Sequence, residues 1–487
     1  MVRKKIKIFK YYLIKIKHVQ LGLRIPKITR FQELYKSGST IVIVPKDGAL
    51  SKHPPHAACG ESDRSASPRT APVSLGRFCP QPENGRGVPR QRVECVMRLR
   101  RRFPWPEKPR IITVPHHMLT PSALKFFVPF AQLRRQSTIV VDSVGTGAAL
   151  TLAHWRGAST PPALRDDTST GSVLRALRQP ATPGLAVAAV TANHFDVDGF
   201  VGVWSLLHPE LALQHEELLR LVAGLGDFRE IDWGHALADH ALQLVCWLNA
   251  EEKARFYEPF GAPARRRRED EASAEKFDWF LPRFAEIMQR PALGQARWEA
   301  EYERVGRGVR VLQGPSTERH HFPELGLIIV ETPAPVSYYA LFGTTAGFDI
   351  VLSLYHDHRY ELEYKYTTWV DLESRPTLPR LGLTPLVNRL NALETSGRLW
   401  AADGITDTGP LLRLSGRKLT KAERYADPDG RPIYASSIAP DAMKREVTAF
   451  FQAGYAGRQA RKYWTWAEVK AAGSQLPTVA AQWQKTS

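Results

Sequence analysis

Cysteine is scarce in this sequence, and its placement excludes the common zinc modules. Only 4 of the 487 residues are cysteine, and no two of them are separated by the short spacing typical of zinc ligands. Three lie in the first quarter of the chain, and the fourth, Cys246, has no nearby partner in the sequence. An unpaired cysteine in a core-like segment is typical of a reducing compartment, so we expect a cytoplasmic protein.

Long apolar runs and glycine-rich loops are also missing. No stretch approaches the roughly 20 apolar residues that cross a bilayer, and the lysine-rich opening, residues 1–20, is too charged to do so. That opening lacks the cleavage site of a secretory signal, although a basic amphipathic segment lying on a membrane stays open. Without a glycine-rich phosphate loop or internal repeats, P-loop enzymes and repeat proteins are excluded.

Positive charge is abundant but confined to one end. The formal net charge is +18, and residues 1–117 hold 25 basic and 7 acidic residues, whereas the remainder holds 42 of each. Net basicity indicates a nucleic-acid or anionic-membrane partner, but the neutral remainder carries no such signal. We interpret residues 1–117 as a poorly ordered basic extension, which a spurious upstream start would account for, and Met118 as the natural beginning.

The stretch from Leu185 to Leu207 organises the rest of the chain. It reads LAVAAVTANHFDVDGFVGVWSLL, which is a small-apolar run, a polar turn and a second apolar run. The first run, 185–190, predicts a strand buried on both faces, and the second run predicts a buried helix. In α/β proteins, strand, turn and helix in this order place ligands at the carboxyl ends of the strands.

His194, Asp196 and Asp198 in the polar turn are the principal candidate site residues. In an extended segment, a spacing of two points all three side chains to the same side. One imidazole and two carboxylates at one point suit Mn²⁺, Fe²⁺ or Zn²⁺, and without a cation the carboxylates would repel each other. We expect Gly199 to supply the backbone freedom for the turn into the helix.

This His-x-Asp-x-Asp-Gly segment resembles the first motif of the DHH phosphoesterase superfamily. The chain from about residue 118 onward also resembles a family of uncharacterised bacterial proteins that share the HFDVDG signature. The superfamily resemblance implies hydrolysis of a phosphodiester or pyrophosphate with two Mn²⁺ ions, in a cleft between two domains. It also implies an Asp-His-His motif after a later strand, for which this chain offers Asp239 and His240 in a helical segment, as second-tier candidates.

Two further carboxylates are candidates because of their positions. Asp227 follows the glycines that end a predicted helix, 209–226, where a new strand or loop would bring it beside the first motif. A solvated turn accounts for Asp227 equally well. Asp142 ends the predicted buried strand 137–141 and is a second-tier candidate. His154 is expected to be a packed histidine rather than a ligand.

The motif is also compatible with three other interpretations. Asp-x-Asp-Gly at a strand end is found in haloacid-dehalogenase-type phosphatases, where Asp196 would form an aspartyl phosphate and Asp198 would act as general acid. A turn with helix-capping aspartates and a satisfied histidine needs no metal. A non-catalytic DHH-like protein would keep the fold and bind a ligand or a partner.

The sequence predicts an α/β domain with a mostly parallel sheet over residues 118–305, followed by an α+β domain over residues 306–487. We expect a metal-dependent phosphoesterase that acts on a small phosphate-containing substrate, with Asp196 and Asp198 as catalytic residues. The expected ligands of a divalent metal, Mn²⁺ by the resemblance, are His194, Asp196, Asp198 and Asp227. The strands expected in the second domain are 309–312, 325–331, 337–342, 348–355 and 359–366.

Overall fold

The computed structural model describes residues 124–133, 137–257, 268–415, 423 and 426–474. All of these residues belong to one compact unit. The predictions made for residues 1–117 lie outside these ranges. Within the described ranges, no helix combines the length and the apolar composition that a bilayer span requires.

The first half is built on a parallel sheet of four short strands. All neighbouring strands in this sheet run parallel. The three strands that follow the first are buried along their whole length, which is why the sequence shows apolar runs there rather than alternation. The predicted α/β class with a mostly parallel sheet is therefore confirmed. In the spatial order β1-β4-β2-β3, the strands are β1 (Phe126–Phe127), β4 (Ala189–Thr191), β2 (Ile139–Val141) and β3 (Leu150–Leu152).

Helices pack around this sheet. In chain order they are α1 (Ser169–Leu177), α2 (Val197–Leu207), α3 (Pro209–Gln214), α4 (Glu216–Phe228), α5 (Ala238–Phe256), α6 (Glu269–Phe280), α7 (Phe284–Gln289) and α8 (Gln295–Gln313). Helix α2 lies directly against β2, because a Cβ atom at Gly202 would stand only 2.7 Å from Cγ1 of Val141. Glycine at this position therefore lets the helix that begins in the polar turn approach the sheet closely.

The second half contains a mixed sheet of six strands in the order β5-β6-β7-β8-β10-β9. Strands β6 and β7 pair in parallel, and the other neighbours are antiparallel. The strands are β5 (Glu318–Phe322), β6 (Leu327–Thr332), β7 (Ile350–Tyr355), β8 (Arg359–Tyr364), β9 (Leu399–Ala402) and β10 (Leu411–Ser415). The helices of this half are α9 (Tyr338–Gly343), α10 (Thr384–Leu393), α11 (Pro440–Tyr455) and α12 (Trp466–Ser474).

The central strands β6, β7 and β8 of the mixed sheet are buried on both faces. Leu327 and Ile329 on one face belong to a core with α10 and α11. Ile328 and Val330 on the other face belong to the core that fills the first half, together with Val305 of α8. The two halves therefore share one core across β6, and the division at residue 305 stays a prediction.

Two predicted strands are helical in the structure. Residues 309–312 form the last turn of α8, in which Val305, Gly308 and Leu312 are buried at helical spacing. Residues 338–343 form α9, and the Ser337 side chain caps its first turn by accepting a hydrogen bond from the backbone of Ala340. The other predicted strands of this half match β6, β7 and β8 to within a few residues.

Candidate metal centre

The carboxyl edge of the parallel sheet gathers three polar side chains. Asp142 directly follows β2, while His154 and His194 lie shortly after β3 and β4. Because β2 pairs with β3 on one side and β4 on the other, all three side chains meet at one edge. Asp142 has a φ of 46°, in the left-handed region that aspartate tolerates better than most residues.

The outer ligand set comprises Asp142, His194 and Asp196, and it is partly open to solvent. Nε2 of His194 lies 3.2 Å from Oδ2 of Asp142 and 2.8 Å from Oδ2 of Asp196. Nδ1 of His194 lies 2.7 Å from Oδ1 of Asn193. If Nδ1 donates its proton there, the neutral ring presents the lone pair of Nε2 toward the carboxylates. The side chains of His194 and Asp196 are 22% and 38% exposed.

The inner ligand set comprises Asp142, His154, Asp198 and Asp227, and it is closed to solvent. Nε2 of His154 lies 3.1 Å from Asp227, 3.6 Å from Asp142 and 3.8 Å from Asp198, in each case to a carboxylate oxygen. Nδ1 of His154 donates to the backbone carbonyl of Asp167, which leaves the Nε2 lone pair for a ligand in the neutral ring.

Asp196 and Asp198 are fixed by the helices that start beside them. Asp196 caps α2, with Oδ1 accepting a hydrogen bond of 2.8 Å from the backbone of Gly199. Asp198 lies in the first turn of α2 but caps α1 instead, since it accepts hydrogen bonds of 2.7 and 2.8 Å from the backbone of Ser169 and Thr170. Both capping roles hold the carboxylates in place and leave oxygen lone pairs for a cation.

Asp142 joins the two sets. Its Oδ1 faces the inner set and accepts a hydrogen bond of 2.6 Å from the Ser169 hydroxyl, whereas its Oδ2 faces His194 of the outer set. The ligand atoms of Asp142, His194 and Asp196 lie within 4.8 Å of one another, and so do those of Asp142, His154 and Asp198. Each of these two groups could hold a cation, and Asp142 would offer one carboxylate oxygen to each.

The neighbouring carboxylates raise the pKa of both histidines. Burial alone would lower the pKa of His154, but the adjacent Asp227 carboxylate, with the charges of Asp198 and Asp142, raises it to about 10. Burial likewise opposes the charged form of His194, and the charges of Asp196 and Asp142 raise its pKa to about 12. Each imidazole is thus in a strongly negative environment.

The aspartates respond to burial in different ways. Burial and the charge of Asp142 raise the pKa of Asp198 to about 6, and burial raises the pKa of Asp227 well above its usual value. Burial also acts to raise the pKa of Asp142, but hydrogen bonding and charge from the two histidines lower it to about 2. The four carboxylates carry more negative charge than two imidazoles can balance, which is an environment that favours a divalent cation.

The position of the His154 ring is a second observation that fits a divalent cation. Nε2 of His154 is buried and has no hydrogen-bond partner among the described residues, although it faces three carboxylates. A buried ring nitrogen in this position, with its other nitrogen fixed by a carbonyl, is the usual arrangement of a histidine ligand. Imidazole and carboxylate donors together suit Mn²⁺, Fe²⁺ or Zn²⁺.

Aromatic side chains from both halves cover the centre. Tyr366 lies in a 3₁₀ turn that follows β8, and its ring centroid is 5.9 Å from that of His154. Trp369 stacks on Tyr366 at 5.5 Å. The ring of Trp155 lies 5.6 Å from that of His194. The second half thereby supplies part of the wall of a site whose candidate ligands come from the first.

The structure brings five of the predicted residues together and places two elsewhere. Asp239 accepts a hydrogen bond of 2.8 Å from the hydroxyl of Tyr302, and Nε2 of His240 lies 2.8 Å from the carbonyl oxygen of Met288. Both belong to α5 and to neither ligand set. The five that meet are Asp142, His194, Asp196, Asp198 and Asp227.

The geometry of the polar turn differs from the expected extended segment. Helix α2 begins at Val197, so Asp198 projects into the inner set rather than beside His194 and Asp196. Gly199 has no positive φ, contrary to the expected role in the turn. It provides space instead, because a Cβ atom there would lie 3.0 Å from Oδ1 of Asp196 and 3.3 Å from Cβ of Asp142.

Two residues reach the centre by routes that the sequence does not indicate. Asp227 lies in the last turn of α4, which continues to Phe228, and not in a loop after the helix. His154, which the sequence predicts to be a packed histidine, faces the inner carboxylates. Its position just after a short apolar strand, like those of Asp142 and His194, is the signal that could have identified it.

A second group of possible ligands lies on the mixed sheet. Glu318, His320 and Glu331 bring their ligand atoms within 4.8 Å of one another on β5 and β6. Lys444 already balances this group, with Nζ 2.7 Å from Oε1 of Glu331. We interpret it as a surface ion network.

Comparison with known proteins identifies one family. A family model described as a family of unknown function, DUF6687, matches residues 124–462, which is more than half of the chain. No curated protein and no solved structure matches the chain. The matched range contains both ligand sets.

Proposed function

The chain belongs to DUF6687, a family of unknown function, and we propose that it is a metal-dependent phosphoesterase with a two-ion centre. The observation that carries this proposal is the position of Asp142, whose two carboxylate oxygens face two different sets of histidine and aspartate. Two-ion centres recur in enzymes that hydrolyse phosphate esters, where the ions bind both the attacking and the leaving oxygen.

The two sets divide the ligands between them. The outer set would hold one ion, and the inner set, with its additional aspartate from α4, would hold the other. Mixed imidazole and carboxylate donors are compatible with Mn²⁺. Divalent ions at such a centre supply a hydroxide nucleophile near neutral pH and offset the negative charge of the phosphate.

The chain's own residues support this role by their fixed orientation. Asn193 and the carbonyl of Asp167 hold Nδ1 of the two histidines, which aims each Nε2 at the carboxylates. Asp196 is the most exposed of the four aspartates, so a substrate would approach from the outer set. In this proposal His154 supplies the second imidazole, for which the DHH resemblance offered His240.

Metal content and hydrolysis measured together test the proposal. The purified protein, loaded with Mn²⁺ and dialysed, should retain metal stoichiometrically and hydrolyse bis(p-nitrophenyl) phosphate. Asp142→Asn removes a charge from both sets, so bound metal should fall and kcat/KM should drop by more than about 100-fold, since even partners outside the ligand shell contribute 10–100-fold. Circular dichroism would confirm that the variant is folded.

Asp239→Asn is the matched control, because it makes the same chemical change outside both sets. It should leave metal content and kcat/KM unchanged. A wild-type protein that retains no metal under any loading condition would refute the proposal. So would an Asp142→Asn variant with full activity.

An aspartyl-phosphate mechanism is the second candidate, and the exposure of Asp196 favours it. In that mechanism a carboxylate oxygen attacks phosphorus, the leaving alkoxide takes a proton from an acid, and water then cleaves the acyl phosphate. Oδ1 of Asp196 is engaged as a helix cap and Oδ2 faces His194, which favours the ligand role. An Asp196→Asn variant that loses activity but keeps its metal affinity would support the second candidate.

A further inference from the structure

A cavity of about 390 Å³ opens beside the metal centre. Its walls come from residues 153–160 after β3, from residues 371–373, and from residues 463–468 around the start of α12. His154 and Trp155 line the cavity and also belong to the surroundings of the metal centre. A substrate bound at the metal centre would therefore have this cavity within reach.

A continuous run of aromatic rings connects the metal centre with the cavity. Tyr366, next to His154, stacks on Trp369. Trp369 in turn makes edge contacts with Trp155 at 5.5 Å and with Trp466 at 5.9 Å, and both of these tryptophans line the cavity. The cavity is thus lined by aromatic rings, and the Arg156 guanidinium lies over one of them, Trp466, at 5.2 Å from the ring centroid.

Besides His154, three of the residues that line the cavity carry buried polar atoms without hydrogen-bond partners among the described residues. The Arg156 side chain is 3% exposed, and its Nη2 donates hydrogen bonds of 3.0 Å to the carbonyls of Thr368 and Val370. Its Nε and Nη1 have no hydrogen-bond partner among the described residues, and neither do Nε1 of Trp155 and Oδ1 of Asp371. The Asp371 oxygen lies 3.6 Å from Nε of Arg156, which is beyond hydrogen-bond distance.

Unpaired buried groups of this kind are costly, so their concentration at one cavity points to a ligand that pairs with them. The set contains donors on Arg156 and Trp155 and an acceptor on Asp371. A planar ligand whose edge carries both acceptors and donors would complement them, and its faces would lie on the tryptophans. Nucleobases have these properties, with guanine offering acceptors that suit arginine and amino hydrogens that suit a carboxylate.

We propose that this cavity binds the nucleobase of a nucleotide substrate whose phosphoester lies at the metal centre. The proposal rests on the proposed function and narrows it from phosphate esters in general to nucleotides. A substrate without a base, such as pyrophosphate, would leave the polar groups of the cavity unpaired, and sites built to pair such groups discriminate strongly against ligands that lack the partner.

Affinities of two ligands that differ only in the base test this proposal. Calorimetry with the full chain, loaded with Mn²⁺, should show that guanosine 5′-monophosphate binds at least about 10-fold more tightly than ribose 5-phosphate, since stacking alone contributes this much per base. Equal affinities would overturn the proposal.

Two variants test whether the preference for guanosine 5′-monophosphate over ribose 5-phosphate arises in this cavity. Trp466→Ala should reduce the affinity ratio to about one, while the affinity for ribose 5-phosphate and the metal content stay unchanged. Asp371→Asn, which keeps the shape of the side chain, should lower the ratio severalfold. Trp279→Ala is the matched control, because Trp279 is also half-buried with arginines over its ring, at 3.8 and 3.4 Å, but lies outside the cavity. A ratio that survives in Trp466→Ala would also overturn the proposal.

Guanosine, which has no phosphate, separates this proposal from the proposed function. Its binding in the presence of a chelator should depend on Trp466 and not on the metal. Loss of metal retention with intact guanosine binding would refute the phosphoesterase and leave the base site standing. The reverse outcome, in which metal and ribose 5-phosphate bind and guanosine does not, would refute the base site alone.

Discussion

Two clusters of buried charge meet at the end of α4, and they differ in how their charges are balanced. One is the candidate metal centre, to which α4 contributes Asp227. The other is the Arg431 cluster, which lies against β8 and reaches α4 through the residue that caps it. The Arg431 cluster consists of Arg229, Tyr338, Glu361, Glu363 and Arg431.

The Arg431 cluster balances itself. Arg431 donates to both oxygens of Glu361 at 3.0 and 2.8 Å and to the Tyr338 hydroxyl at 2.7 Å. Two arginines face two glutamates, so the formal charges cancel. At the metal centre four aspartates face two histidines, and Nε2 of His154 has no partner among the described residues. In our proposal the cluster with unmatched charges binds a ligand, whereas the cluster with matched charges needs none.

The largest expected effect is a loss of stability when the Arg431 cluster loses its central arginine. Arg431→Met leaves Glu361 and Glu363 buried without their partner, which should lower the free energy of unfolding by about 3–5 kcal/mol. Metal content per folded protein should stay unchanged, because Arg431 contacts neither ligand set. Urea unfolding and metal analysis of the same preparation would measure both.

Arg389→Met provides the matched control for this prediction. Arg389 also donates to both oxygens of one carboxylate, Glu446, at 3.1 and 3.0 Å, but its side chain is 29% exposed. The arginine of this pair is partly open to solvent, unlike the buried Arg431, so its loss should lower stability by less than the loss of Arg431. Equal losses in the two variants would show that burial does not set the strength of these pairs.

A smaller effect comes from the pH dependence of Glu363. Burial, together with the charge of Glu361, raises its pKa to about 7 against the opposing effects of Arg431, Tyr338 and Arg229. A carboxyl whose pKa is raised in the folded state binds more protons folded than unfolded. Its contribution to stability is therefore present at acidic pH and is lost as the pH rises from about 4 through 7.

Glu363→Gln removes this titration and sharpens the comparison. Relative to the variant, the wild type should lose up to about 3 kcal/mol of unfolding free energy between pH 4.5 and pH 8. Urea unfolding in the presence of a chelator measures the difference and keeps metal out of it. Parallel pH profiles for the two proteins would contradict the raised pKa of Glu363.

Much of the fold could be predicted because several strands show a clear pattern of apolar residues within their own short segment of sequence. The apolar run at 137–141 predicts β2, and the alternation after Arg359 predicts β8. The run at 185–190 predicts β4 only in part, because residues 185–188 form a turn and the strand begins at Ala189. Prediction was wrong at 309–312 and 337–342, where β-branched and aromatic residues favour strands. Packing overrode that propensity, since both segments bury helical faces in the shared core.

The site could be predicted only in part, for a related reason. His194, Asp196 and Asp198 stand together in the sequence, so their chemistry was visible. Their division between two ligand sets depends on the first turn of α2 and on β2 lying between β3 and β4. Strand order is set by pairing between distant segments, which no local pattern reports, and it is strand order that makes Asp142 the shared residue.

The smallest effect concerns a charge that is neither buried nor at the centre, the capping box of α12. Thr465 and Glu468 form it, with the Glu468 backbone donating to the Thr465 hydroxyl at 3.2 Å and the Thr465 backbone donating to Oε2 of Glu468 at 2.7 Å. Thr465→Ala removes the hydroxyl and should lower the unfolding free energy by about 1 kcal/mol, the usual contribution of a helix cap. Metal content should not change, because α12 supplies no ligand.

Helix α12 does carry Trp466, so fraying of its first turn should weaken guanosine 5′-monophosphate binding a few-fold without affecting ribose 5-phosphate. A drop in metal retention would contradict this, since it would mean that the start of α12 supports the metal centre directly.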